Sequence, residues 1–250
     1  MRFEERLKEK FLYSKGKNFF KSIYFIIQKL KKNKHRKISY SGGAIDLIIE
    51  HYFRNKAKGI YIDVGAYHPI MGNNTFKLFN KGWSGINIDL DFHTIDILNN
   101  FRPNDENIIA AVSDKIEKKK LYFHHNRSAI NTLEKSKGGK SKEIREVTTN
   151  TLNNIIENSK YKDLEIDFIS IDVEGHEMKV VKGFDLEKYS PKIVVIEHQD
   201  LDMKKEEFHN QNIEKIIKSN IYNHMISRNY ALVNWLHADL VFINKSLQDN

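Results

Sequence analysis

From residue 59 onward the chain is punctuated by short apolar runs, most of which end in an acidic residue. These runs, at 60–64, 85–89, 108–112, 166–172 and 193–197, are separated by stretches long enough for a helix. A strand buried on both faces reads as a continuous apolar run, so this pattern predicts a mostly parallel sheet with covering helices. A last pair, 230–235 and 239–244, is separated only by Leu236, His237 and Ala238 and reads as an antiparallel hairpin. The expected fold is therefore α/β and Rossmann-like: a mostly parallel seven-stranded sheet closed by an antiparallel C-terminal hairpin.

At 250 residues the chain can bury one such core with a small appendage. The appendage is expected at the N-terminus. Phe19, Phe20, Ile23, Tyr24, Ile26, Ile27 and Leu30, interleaved with or followed by Lys21, Lys29, Lys31 and Lys32, give a basic amphipathic helical extension over residues 1–57. Its apolar stripe suits packing on the domain or a partner, or peripheral contact of residues 19–37 with an anionic membrane. Ser41-Gly42-Gly43 reads as a linker, residues 58–250 as the catalytic domain, and residues 114–150 as an insertion near the active site.

The net charge of +8 hides an asymmetry: residues 1–37 carry 13 Lys/Arg and 3 Asp/Glu, leaving 28 against 30 in the remainder. A slightly acidic body argues against a nucleic-acid groove across the domain. The absence of cysteine excludes disulfides and a thiol nucleophile, and suits a reducing, cytoplasmic setting. No apolar stretch approaches the length a membrane helix needs.

Three segments carry chemistry. In Tyr61-Ile62-Asp63-Val64-Gly65-Ala66 a strand ends at a small residue, where backbone can approach a ligand at the sheet edge. Ala66, Tyr67, His68 and Pro69 stand where a dinucleotide fingerprint would continue with glycines, which disfavours a nicotinamide cofactor. In Trp83-Ser84-Gly85-Ile86-Asn87-Ile88-Asp89 an acid closes the second strand, placed to accept from both hydroxyls of a ribose. The third, Ile166 to Glu177, delivers Asp172 to the sheet edge and crowds Glu174, His176 and Glu177 into the next turn, a costly concentration of charge unless a ligand or cation uses it. Helix capping by Asp172 or Glu174 is the alternative for that segment.

On these segments the chain resembles the FkbM family of methyltransferases. The resemblance covers residues 59–244 and rests on I-D-V-G-A at 62–66, N-T at 74–75, G-W-S-G-I-N-I-D at 82–89, A-A-V-S-D at 110–114 and D-F-I-S-I-D-V-E-G-H-E at 167–177. It implies a class I methyltransferase fold and an S-adenosylmethionine-dependent O-methyltransferase acting on a sugar or other small hydroxyl compound, such as a cell-surface glycan precursor. It further implies that Asp63, Gly65 and Ala66 line the cofactor's methionine end, flanked by Asn74 and Thr75, that Asp89 holds the ribose, and that Val112 and Ser113 border the adenine. Tyr67, next in the loop, and Asp172, at the sheet edge, are further candidate cofactor contacts. The loop departs from the family pattern at Tyr67, His68 and Pro69.

An alcohol is almost fully protonated at neutral pH, so its methylation needs a general base, a metal ion, or both. His176, Glu177 and His198 are the candidate proton acceptors, with His68 a further one. Asp172 ends the fourth parallel strand and Glu197-His198 the fifth, so adjacency would gather Asp172, Glu197 and His198 as ligands for Mn²⁺ or Mg²⁺, or as direct contacts to substrate hydroxyls. Two other function classes compete: a nucleotide-sugar or NAD-dependent enzyme on a similar sheet, and a non-catalytic module at a membrane surface.

Overall fold

The structure is a computed structural model. It describes residues 37–198, 202 and 204–247, together with 6, 19, 21–23 and 26. The amphipathic stripe of residues 19–37 therefore lies largely outside the described residues. Two compact units are present, residues 1–38 and 39–250. The second carries the sheet.

Seven strands make up that main sheet: β1 (Ile60–Val64), β2 (Ser84–Asp89), β3 (Glu106–Ile109), β7 (Phe168–Ile171), β8 (Ile193–Glu197), β9 (Tyr230–Leu236) and β10 (Asp239–Asn244). Their order across the sheet is β3-β2-β1-β7-β8-β10-β9. All pairings from β3 to β8 are parallel, whereas β10 runs antiparallel to both β8 and β9. This is the expected sheet, with the C-terminal hairpin inserted through its last strand.

Side-chain alternation along each strand sorts the apolar residues onto two covered faces. On one face Ile62, Val64, Ile86, Ile88, Ile169, Ile171, Val194 and Ile196 form a buried cluster with Leu152, Ile156, Val180, Val181, Ile221 and Met225 from the helices. On the other, Tyr61, Phe168, Ile193, Val195 and Val241 meet Ile45, Ile49, Phe53, Leu78 and Trp83. Burial on both sides is why these strands read as continuous apolar runs.

The second face moves the domain boundary. Helix α1 (Ile45–Tyr52) is part of the core, and the compact unit starts at Ser39, not at residue 58. Ser41-Gly42-Gly43 is likewise a tie, not a linker. The buried Asp46 carboxylate accepts from Tyr40 N at 2.8 Å and from the Ser39 and Ser41 hydroxyls at 2.5 and 3.1 Å.

The run expected as one strand at 108–112 is divided. After β3, Ala110 N still donates to Asp89 O, but β4 (Ala111–Val112) turns away and pairs in parallel with Thr149 and Asn150. It thereby joins β5 (Lys118–Phe123) and β6 (Glu143–Asn150) in a small sheet of order β4-β6-β5. The expected insertion is this β5–β6 hairpin and its connection. Among the described residues no helix is long and apolar enough to cross a membrane.

Candidate active site

In a doubly wound sheet the crevice opens beyond the carboxyl ends of the strands, where strand order reverses. Here that point lies between β1 and β7. A cavity occupies it, walled by Val64 and Gly65 at the end of β1, Ile88 and Asp89 at the end of β2, Ala110 to Val112, and Asp172 to Glu174 after β7. The expected Gly65, Tyr67, Asp89, Val112 and Asp172 all line it, as does His176.

Gly65 is required by its surroundings. Its φ is +84°, and a Cβ there would lie 1.7 Å from the Asp172 carbonyl oxygen. The two strand ends thus pack backbone to backbone at the cavity floor. Asp89 accepts from Tyr67 N at 3.0 Å and Asp91 N at 2.8 Å, one bond to each carboxylate oxygen, so both oxygens retain a lone pair for a ligand. Burial raises its carboxyl to about 6, although those two N–H groups pull the other way.

Five expected cofactor contacts do not line the cavity. Asp63 follows Tyr61 on the α1 side of the sheet, one residue out of phase with Ile62 and Val64. It accepts from Asn73 Nδ2 at 3.0 Å and Thr75 Oγ1 at 2.9 Å. Arg102, fully buried, donates to Thr75 Oγ1 at 2.8 Å, Asn73 Oδ1 at 2.9 Å and the Pro69 carbonyl. Burial raises Asp63 and the Arg102 guanidinium opposes this. Asp63 and Thr75 therefore fasten the loop 65–75 from behind. Asn74 donates to Ser170 Oγ at 3.0 Å, Ala66 packs with Ile95 and Leu98, and Ser113 is buried against His176.

The expected bases separate as well. His68 Nδ1 accepts from Ile70 N at 3.1 Å and Met71 N at 3.0 Å, which commits that nitrogen to a turn. His176 is buried with both ring nitrogens engaged, Nδ1 with Glu134 Oε1 at 2.5 Å and Nε2 with Ser113 Oγ at 2.9 Å. Burial lowers its pKa and the Glu134 carboxylate opposes this. A ring held at both nitrogens positions other groups and is not available to deprotonate an acceptor.

The metal set also changes. Ligand atoms of Asp172, Glu177 and Glu197 all lie within 4.8 Å of one another, and His198 is not in that group. Successive side chains of a strand point to opposite faces, so with Glu197 in the cluster His198 falls beside Trp235, His237, Asn210, Asn212 and Lys215 in a separate cleft. Glu177 takes its place because α2 (Glu177–Lys182) folds it back: its Oε1 accepts from Val173 N at 3.0 Å and Gly175 N at 2.9 Å. Burial raises Glu177 to about 7 and, with Glu197 nearby, Asp239 to about 7. The enclosing walls and then the Glu197 carboxylate hold Asp172 well above the carboxylate range. Because the Asp172 side chain is exposed, the like-charged neighbour is the cause to weigh more heavily.

The insertion expected near the active site supplies part of its lining: Arg127, Ser128, Ala129, Asn131, Thr132 and Leu133, from the β5–β6 connection, border the cavity, although none of them stood out individually in the sequence.

The chemistry of these walls fits adenosylmethionine. Asp89 supplies two acceptors for ribose hydroxyls, and Ile88, Ala110, Val112 and Leu133 give apolar contact for a flat base. The family model described as Methyltransferase FkbM domain matches residues 63–223. No curated protein and no solved structure matches the chain.

Proposed function

We propose that this chain, which belongs to the FkbM methyltransferase family, is an S-adenosylmethionine-dependent O-methyltransferase acting on a hydroxyl of a sugar or another small metabolite. The observation that carries this reading is the place of Asp172. It lines the cofactor cavity and is also a member of the carboxylate group formed with Glu177 and Glu197.

Adenosylmethionine, when bound, supplies a methyl group already attached to a good leaving group. What remains for the protein is to hold the acceptor in line and to take its proton. Asp89 would hold the ribose and Val112, with its apolar neighbours, the adenine. The group Asp172, Glu177 and Glu197, with Asp239 beside it, would receive the proton. Carboxylates crowded together raise one another's proton affinity and so exchange protons near neutrality, where a general base is most useful. The values of about 7 for Glu177 and Asp239 support that role.

A divalent cation on the same carboxylates is a second reading, favoured by their spacing of 4.8 Å or less. It would lower the hydroxyl's pKa instead of leaving the whole task to a base. The missing glycine pattern after Gly65 weighs against a nicotinamide enzyme.

The test is methyl transfer from labelled adenosylmethionine to a panel of sugars, nucleotide sugars and glycan precursors. Turnover on a hydroxyl acceptor is expected, and Asp172→Asn should abolish it. Wild-type turnover in that variant would overturn the assignment of the proton acceptor.

A further inference from the structure

The β5–β6 connection is tied to the cavity's rim at both ends. At one end Arg127 N donates to Asp91 Oδ2 at 2.9 Å, and Asn126 Nδ2 lies 3.1 Å from His93 Nε2. At the other, Thr132 Oγ1 donates to the Glu174 carbonyl at 2.8 Å and Glu134 Oε1 meets His176 Nδ1 at 2.5 Å. Between these ties the segment presents Arg127 to Ala129 and Asn131 to Leu133 to the cavity. Arg127 Nε is buried without an acceptor, a donor that a ligand in the cavity can satisfy.

We infer that residues 126–134 are the cover of the cofactor site and that Glu134, acting through His176, is the residue that positions it. The donors and acceptors define the chemistry of this pin. The carboxylate oxygen can only accept, so His176 Nδ1 carries the proton and Nε2 accepts from the Ser113 hydroxyl. One buried imidazole thereby joins three segments remote in sequence: the end of β4, the cover, and the turn before α2. The bond it makes to Glu134 is short and charge-assisted, the stronger kind of hydrogen bond. That the covered ligand is adenosylmethionine rests on the proposed function; the pin itself does not.

The experiment uses the full chain, adenosylhomocysteine as probe, and two readouts: calorimetric affinity and amide hydrogen exchange. Glu134 is partly exposed, so Glu134→Ala removes a carboxylate at the edge of the fold and strands no charge in its interior. In that variant amide exchange across residues 126–138 should accelerate while β1 and β7 are unchanged, and affinity should fall about tenfold or more. Glu134→Gln keeps an oxygen acceptor for Nδ1–H and should recover most of both losses. Unchanged protection of the cover in Glu134→Ala, or equal damage in Glu134→Gln, would overturn the proposal. If the wild-type chain bound no adenosylhomocysteine, the cofactor reading of the cavity would fail, and the exchange arm would still decide the pin.

Discussion

Replacing Arg102 with leucine should be among the most damaging changes the catalytic unit can suffer, although Arg102 does not line the cavity. The guanidinium is fully buried and donates to Thr75, Asn73, Asn87 and the Pro69 carbonyl, beside the buried Asp63 carboxylate. Leucine approximates part of the volume but none of the donors. Arg102 and Asp63 share Thr75 and Asn73 as intermediaries, so removing the guanidinium strands buried acceptors and leaves the Asp63 charge without its compensation, a cost of about 3–5 kcal/mol on the scale of a broken buried ionic interaction. For a domain of this size that corresponds to a fall in Tm of roughly 6–20 °C.

The loss should also depend on pH with a definite sign. Burial already raises the folded Asp63 carboxyl above its unfolded value, so folding takes up a proton between the two values and this group's contribution weakens as pH rises through that window. Without Arg102 the window widens. The deficit of Arg102→Leu should therefore be larger at pH 8 than at pH 5, and Asp63→Asn in the same chain should restore part of it. Thermal and urea melts by circular dichroism, on the two single variants and the double, measure all three effects. A deficit below about 1 kcal/mol, or strict additivity of the two changes, would show that these charges are not coupled.

Four further outcomes are expected. Gly65→Ala should yield little folded protein in an expression and melting assay, since its Cβ would meet the Asp172 carbonyl at 1.7 Å and its φ of +84° is strained for alanine. Once an acceptor is in hand, the kcat profile should rise as pH increases through about 7, where Glu177 and Asp239 lose their protons; a profile flat from about pH 5.5 to about 8.5 would exclude carboxylates as the proton acceptor. If a cation assists, chelation should abolish turnover and Mn²⁺ or Mg²⁺ should restore it, whereas full activity in metal-free enzyme would leave the base reading alone. Deleting residues 1–37 should leave adenosylhomocysteine affinity unchanged in calorimetry, because the compact unit begins at Ser39; in a liposome assay the same deletion tests the proposed membrane contact of residues 19–37.

The sheet was legible because both its faces are covered, which writes its parallel strands as predominantly apolar runs. The hairpin was legible because only three residues separate its strands. The helix at 45–52 was assigned to the extension because its apolar stripe looks the same whether it meets this sheet or another surface. At the site, residues at strand ends could be read from the local pattern: Gly65, Asp89 and Asp172 each close an apolar run. What failed was parity and distance. Asp63 and His198 each lie beside a residue of the site, and alternation turned them to the other face. Arg102 and Glu134 reach their partners across 27 and 42 residues of sequence, and nothing near either announces the contact.

Every catalytic role proposed for this chain depends on the cavity between β1 and β7 taking adenosylmethionine with Asp89 on its ribose. Calorimetric titration of adenosylhomocysteine into the full chain decides this, at about pH 7.5 and again below the Asp89 value of about 6. One site per chain is expected, with weaker binding at the lower pH as the carboxylate gains a proton, and a loss of about 1–3 kcal/mol in folded Asp89→Ala. Absence of binding to the wild-type chain, or unchanged affinity in the folded variant, would contradict it.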